Sequence, residues 1–268
     1  VTPVVTLLSD FGATDEFAGV MEAVIAGVAP QARVIHLTHG ISPHAVLPGA
    51  LALARALPFA PVGVHVAVVD PGVGTERRAI ALRTGDGRIL IGPDNGVLIP
   101  AADACGGVAE AFAITNPELF CHPVSRTFHG RDVFAPVAGH LAAGLALTAV
   151  GPALDAAGLT RLAIPVPALD TGSVRAQVLG IDRFGNVALN VRGEELDLHG
   201  LDSGTRVEIR AGDGRYFAVR AQTFADVRPG EMVVYDDSSG WASLAVNSGS
   251  LADVCDLEPG DSVLLERA

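Results

Sequence analysis

The stretch VVTLLSDFGATDEFAGVMEAVIAGVAPQARVIHL, residues Val4 to Leu37, reads as strand, helix, strand. Its ends, Val4 to Leu8 and Val34 to Leu37, are short apolar runs rich in β-branched residues, which suits strands buried in a sheet. Between them Phe17, Val20, Met21, Val24, Ile25 and Val28 recur at intervals of three and four, so one face of a helix is apolar. Thr14 stands where an N-cap is expected, with Asp15 and Glu16 in the first turn. The remaining face carries Ala18, Gly19, Ala23 and Ala26 and few charges, which leaves it open to cover by another element or subunit.

Working outward, a third apolar run at Val64 to Val69 continues the alternation, which predicts an α/β domain. Thr84 to Arg88, TGDGR, is a tight turn between strand-like runs Ala79 to Arg83 and Ile89 to Ile91, and a second helix is expected after Arg131. The character changes at Ile164 to Thr171, IPVPALDT, whose prolines favour an extended linker. The expected division is an α/β domain over 1–163, a linker over 164–172 and a β domain over 173–268. In the last, Arg206 to Arg210, Arg215 to Arg220 and Met232 to Tyr235 alternate between Gly-Asp and Pro-Gly turns, the pattern of small antiparallel β structure. There is no internal repeat or heptad seam.

Composition narrows the classes. With 268 residues, 49% of them apolar, the chain has enough to build a buried core. Mean hydropathy is +0.41, yet the best membrane candidate, Val133 to Leu154, contains His140, Pro136 and Pro152 and is largely Ala and Gly, so it does not read as a span. The sequence enters a strand-like run at once, without the basic and apolar blocks of a signal peptide. Cys105, Cys121 and Cys255 are far apart and odd in number, which fits neither a disulfide framework nor a zinc site, and a cytoplasmic setting is expected. A formal charge of -12 argues against nucleic acid as a partner and is compatible with a cationic small molecule. All 18 basic residues are Arg, which carries no functional weight.

Open α/β sheets place ligands at the carboxyl ends of their strands. Polar clusters fall there: Ser9-Asp10, Thr38 to His44, Asp70, Asp94-Asn95-Gly96, and Phe128-His129-Gly130-Arg131-Asp132 before a helix. The glycines of Asp70 to Gly74, DPGVG, lack the third glycine and the lysine of phosphate-binding loops.

Six segments in order then resemble one family, the S-adenosylmethionine hydroxide adenosyltransferases, relatives of enzymes that fluorinate or chlorinate the same substrate. They are LLSDFGATDEFAGVMEAVI, VVDPGVGTERRAI, IGPDNGVL, SRTFHGRDVFAPVAGHLA, IDRFGNVALN and VYDDSSGWASLAVNSG, and together they cover nearly the whole chain. The resemblance implies an N-terminal α/β/α sandwich and a smaller antiparallel β-barrel-like domain. It implies hydrolysis of S-adenosylmethionine to adenosine and methionine, with Asp70, Arg77 and His129 around the attacking water and neither metal nor cofactor. The chemistry suits those residue types: a neutral thioether leaves from a sulfonium, so only the water needs preparing. A histidine is expected to take its proton, an arginine to stabilise developing hydroxide, and Asp70 to hold the guanidinium. Arg78 adjoins Arg77, but neighbours in an extended run face opposite ways, and the family spacing from Asp70 selects Arg77.

The same resemblance implies that Asp10 accepts the ribose hydroxyls, Asp182 meets the methionine ammonium, Asn186 reads adenine, Phe224 stacks on it, Ser238 meets the methionine carboxylate and Ser248 contacts adenine through its backbone. Phe128, beside His129, joins the substrate-binding set. Asp182 to Asn186 also reads as a plain β-turn, and Phe224 as core. The family implies a homotrimer whose sites combine two subunits. His44 stands where halogenating relatives carry Trp, Phe17 and Gly130 where they carry Ser, and Asp70 where they carry a neutral aromatic. A halide ~4 Å from Asp70 meets about 4 kcal/mol of repulsion at an effective dielectric of ~20, less what Arg77 cancels, which favours water over halide. Alternative readings are a halogenase, a metal-dependent hydrolase drawing on Asp10, His39, His44, Asp70, Asp94 and His129, and a non-catalytic adenosine or S-adenosylmethionine binder.

Overall fold

Leu7 and Leu8 are adjacent in sequence and both are sealed from solvent, so their strand must be covered on both faces. The computed structural model, which describes residues 2–268, shows how. The chain divides into two units, Val1–Leu162 and Ala163–Ala268.

In the first unit, six strands, β1 (Val4–Ser9), β2 (Arg33–Thr38), β3 (Val64–Val68), β4 (Ala79–Thr84), β5 (Ile89–Pro93) and β6 (Val108–Ala113), form one sheet in the order β2-β1-β3-β5-β4-β6. The neighbours β2, β1, β3 and β5 run parallel, and β4 is antiparallel to β5 and β6, with TGDGR closing the β4–β5 hairpin as expected. Helices α1 (Phe17–Val28) and α4 (Ala135–Ala142) cover one face. There Met21, Ile25, Val137 and Leu141 pack with Val5, Leu7 and Val66. Helices α2 (Val46–Ala56) and α3 (Ile99–Ala104) cover the other, with Leu53 and Ala101 against Leu8, Ala67 and Leu90. The result is the three-layer α/β/α sandwich. Each Val or Leu sealed between layers stabilises it by roughly 1.5–3 kcal/mol relative to exposure.

Two local expectations are corrected. Helix α1 begins at Phe17, Glu16 occupies its cap without a side-chain bond, and Thr14, Asp15 and Glu16 lie before the helix. The cause is the preceding loop: Gly12 adopts φ +74° and donates its N–H to the His39 carbonyl at 2.8 Å, which commits this stretch to non-helical geometry. Residues 164–172 are not simply a linker. They contain β7 (Ala168–Asp170), an edge strand whose flanking Pro165 and Pro167 fall just outside it.

The second unit continues with β8 (Ser173–Ile181), β9 (Val187–Arg192), α5 (Gly193–Leu198), β10 (Arg206–Ala211), β11 (Gly214–Arg220), β12 (Met232–Asp236), β13 (Trp241–Val246), α6 (Leu251–Cys255) and β14 (Ser262–Arg267). Strand β14 pairs with both β10 and β8, closing a seven-strand barrel, and β7 is attached alongside β8. Val174, Leu189, Ile209, Val234, Leu244 and Leu265 fill it. One pair departs from the antiparallel expectation: β11 and β12 are parallel, because residues 221–231 cross over instead of forming a hairpin.

Candidate active site

Register puts Ser9 of β1 beside Val68 of β3, so Asp10 and Asp70 leave neighbouring strands at the same end of the sheet. After Asp70 the chain makes two tight turns: the Val73 N–H donates to the Asp70 carbonyl at 3.2 Å and the Thr75 N–H to the Gly72 carbonyl at 3.2 Å. This folds Arg77 back over Asp70. Its Nε donates to Oδ1 at 3.0 Å and Oδ2 at 2.9 Å, and one terminal nitrogen donates to Oδ2 at 2.5 Å. The side chains are only 5% (Asp70) and 11% (Arg77) exposed, so water screens the pair weakly. The Arg77 guanidinium also lies 5.3 Å from the Phe134 ring centroid, which stiffens it further.

His129 reaches the pair from the opposite side of the sequence. It precedes a π-helical turn, Gly130–Phe134, which runs into α4. Gly74, at φ +77°, holds the two loops together: a Cβ there would lie 2.3 Å from the Arg126 carbonyl oxygen, so only glycine allows this approach. The Arg77 terminal nitrogen then sits 2.8 Å from His129 Nδ1. Arginine only donates, so Nδ1 accepts and the neutral ring carries its proton on Nε2. Burial, and then the Arg77 charge, hold the His129 pKa below its usual 6.5, against the opposing pull of Asp70 and Asp132. Arg131 and Asp132 form their own pair, and Asp132 also accepts the Ser125 N–H at 2.8 Å, which fixes the loop before His129.

Asp70 and His129 open onto a cavity of about 280 Å³, whose walls include Asp10, Phe11, Phe17, His44, Thr127 and Phe128; Arg77 stands behind them. Asp10 is oriented by the His44 N–H, 2.8 Å from Oδ2, with His44 at φ 66°, the left-handed region a non-glycine residue adopts at some cost. The sequence reading did not assign Phe11 or Thr127 to the site. Adjacency to Asp10 and Phe128 was the available signal.

The other predicted residues belong to the second unit. Asp182 closes the turn expected from composition: Oδ1 accepts the Phe184 N–H at 2.8 Å and the Asn186 N–H at 3.0 Å, and Oδ2 accepts the Asn186 side-chain amide at 2.8 Å. Phe224 is not core; the residue is 40% exposed and its ring packs on Tyr235 with centroids 4.9 Å apart. Burial, with Asp182 and Asp237, pushes the Tyr235 phenol up to about 12. The Asn247 amide donates to the Phe224 carbonyl at 3.0 Å, and the Ser248 hydroxyl donates to Asn247 at 3.1 Å. Phe224 and Asp182 thus both lie by Tyr235 and Ser248 is tied to Phe224 through Asn247, while Ser238 is exposed in the turn between β12 and β13.

Of the six residues weighed as metal ligands, Asp10, His44, Asp70 and His129 line the cavity and Asp94 and His39 do not. Asp94 is held by Arg78, His39 bonds to Ser9, and among the described residues no group of three His, Cys, Asp or Glu side chains is placed to hold an ion. No helix of the described residues is long and apolar enough to cross a membrane.

A relative in Salinispora tropica, named (R)-S-adenosyl-L-methionine hydrolase, is 47% identical, with the match covering 97% of this chain and 96% of that protein. A fluorinase of an Actinoplanes species is more distant, 29% identical over 99% of this chain and 98% of its own. A crystal structure of an uncharacterized conserved protein from Thermotoga maritima superposes with a TM-score of 0.91 at 38% identity, covering 98% of this chain and all of that one. The SAM hydroxide adenosyltransferase N-terminal domain matches residues 5–151 and the corresponding C-terminal domain residues 176–264, so the chain belongs to the SAM hydroxide adenosyltransferase family.

Proposed function

We propose that this chain hydrolyses S-adenosylmethionine to adenosine and methionine. A water oxygen bonds to the ribose 5′ carbon, the carbon–sulfur electrons pass to sulfur as neutral methionine departs, and one proton is released. The observation that carries this is the Asp70–Arg77–His129 cluster at the wall of a cavity that also presents Asp10. Our reading of the roles differs from the one expected from residue types. The lone pair of His129 is taken up by Arg77, so the imidazole offers the water an Nε2–H, and Asp70 is the cavity-facing acceptor placed to receive the water's proton. Arg77 fixes both. Asp10 has the two oxygens suited to the ribose hydroxyls.

A neutral leaving group needs no Lewis acid, which supports activity without metal or cofactor. Cysteine usage supports a cytoplasmic setting. We read the Asp182, Asn186, Phe224, Ser238 and Ser248 set as the adenine and methionine end of the site, supplied by a neighbouring copy in a homotrimer. The exposed Phe224 ring supports this. A stable monomer in sedimentation that retains full activity overturns the assembly.

The test of the activity uses protein stripped with a chelator, S-adenosylmethionine and ¹⁸O-labelled water. The expected result is adenosine carrying the label at its 5′ oxygen. The name of the Salinispora relative makes the R sulfonium the first epimer to supply. Absence of adenosine with either epimer overturns the proposal, and 5′-haloadenosine in the presence of halide replaces it with the halogenase reading.

A further inference from the structure

Phe11, Phe17 and Phe128 come from three places in the chain: the loop after β1, the first residue of α1 and the segment before the π-helical turn. Their ring centroids are 5.8 Å (Phe11–Phe17), 5.7 Å (Phe11–Phe128) and 5.1 Å (Phe17–Phe128) apart, and Phe128 stands nearly perpendicular to both partners, at 79° and 84°. All three wall the cavity that Asp70 and His129 enter. Phe11 and Phe128 are partly buried and rest on the core beneath them, so they reach the cavity from its floor, and Phe17 is the open member. Phe134, a few residues on, is fully sealed, whereas Phe17 keeps 37% of its surface open. Gly130 keeps this arrangement in place, since a Cβ there would lie 3.1 Å from both the Phe11 ring and the Met21 sulfur. One ring already engages a cation, with the Arg131 guanidinium 5.2 Å from the Phe128 centroid.

We propose that these three rings form a cation-binding wall for the substrate's sulfonium centre and make the protein select the charged sulfonium over the corresponding neutral thioether. The identity of that cation rests on the hydrolysis proposed above. A sulfonium has no hydrogen to donate, so carbonyls and carboxylates cannot bond it directionally. Aromatic faces, with their negative quadrupole, attract it without directional demands. The two carboxylates of the cavity already have other work in this reading, Asp70 with Arg77 and the water and Asp10 with the His44 N–H and the ribose hydroxyls, so neither is left for the sulfur. The attraction is also self-limiting. As the carbon–sulfur bond breaks, the charge leaves sulfur, so the rings hold the reactant more strongly than the transition state or the thioether product. Their contribution belongs to substrate affinity and product release and not to the rate of the bond-breaking step.

The experiment measures binding of S-adenosylmethionine and of its demethylated neutral thioether by calorimetry, in a His129→Ala background that suppresses turnover. Phe17→Leu, which keeps apolar bulk and removes the ring, is expected to weaken the sulfonium about fivefold and leave the thioether nearly unchanged, and Phe17→Tyr to restore the difference. Phe11→Leu is expected to act the same way. In the otherwise unaltered enzyme, Phe17→Leu raises KM without lowering kcat. Equal weakening of both ligands, or no change in either, overturns the proposal. A charge-selective loss in a protein that never forms adenosine leaves the wall standing and rejects hydrolysis; turnover without charge selectivity does the reverse.

Discussion

Arg77 and Arg78 are adjacent, each grips an aspartate, and they do entirely different things. On one side of the backbone Arg77 holds Asp70 and reaches His129 at the cavity. On the other, Arg78 holds Asp94, donates to the Gly158 carbonyl at 2.7 Å, and Asp94 also accepts the Thr160 N–H at 2.9 Å. The second cluster bonds only to backbone and its own partner and lies outside the cavity, its free arginine nitrogen on a side chain 42% exposed, so it ties segments together. The first keeps an imidazole N–H and carboxylate lone pairs facing open volume. Identical residue pairs therefore divide into strut and reactive site according to whether they bond to backbone or face a cavity.

The sharpest way to break that contrast is to truncate one member of each cluster. His129→Ala and Arg77→Ala are each expected to lower kcat about 10²–10⁴-fold, since each removes a group aimed at the water or its support. Steady-state adenosine release measures this, and unaltered rates in both variants sink the assigned roles. Arg78→Ala is expected to keep kcat while the fold loses about 2 kcal/mol, because Asp94, with its side chain 3% exposed, would lose its counter-charge while keeping one backbone bond. Denaturant titration reads that loss. A collapse of kcat in folded Arg78→Ala would erase the distinction.

Much of this was legible in the sequence, for definable reasons. The period-three-and-four pattern of Phe17 to Val28 and the β-branched runs on either side point to an α/β domain, since local periodicity decides which faces are buried, while the three-layer sandwich came from the family resemblance. The preference for Arg77 over Arg78 came from the family resemblance, whose spacing from Asp70 selects it, while alternation along an extended chain required only that the two differ in direction; they grip different aspartates. Thr14 as a cap was not recoverable, because a hydrogen bond from Gly12 to a residue on another strand loop sets where α1 starts. Nor was the His129 tautomer, which a contact with a residue 52 positions away decides. The aromatic wall was hidden for the same reason: residues 11, 17 and 128 meet only through the fold.

A milder change tests the cavity's other carboxylate. Asp10→Asn keeps the shape and the acceptor for the His44 N–H but halves the acceptor capacity offered to a ribose diol, so KM is expected to rise roughly tenfold with kcat affected less. Initial rates across substrate concentration show it. An unchanged KM removes Asp10 from the substrate set.

The smallest expected effect lies in pH, and it separates the two arginine clusters by the one group they do not share. His129 titrates below 6.5 because burial, and then Arg77, disfavour its charged form. Protonation puts a second hydrogen at Nδ1, facing the Arg77 donor, so the contact must open. The fold therefore gains stability from this site above about pH 6.5, where the unfolded histidine is also neutral. It loses that gain as pH falls through the lower folded value, where only the unfolded chain has already bound its proton. Activity should follow, holding at neutral pH and declining several-fold over about one pH unit on the acid side, with a midpoint under 6.5. His39 is also lowered, by burial and by His36, but it bonds to Ser9 and does not line the cavity, so His39→Asn should leave that midpoint where it is. An acid limb of kcat/KM centred above 6.5, or one that moves with His39 instead of His129, would mean that the imidazole beside Arg77 is not the titrating group.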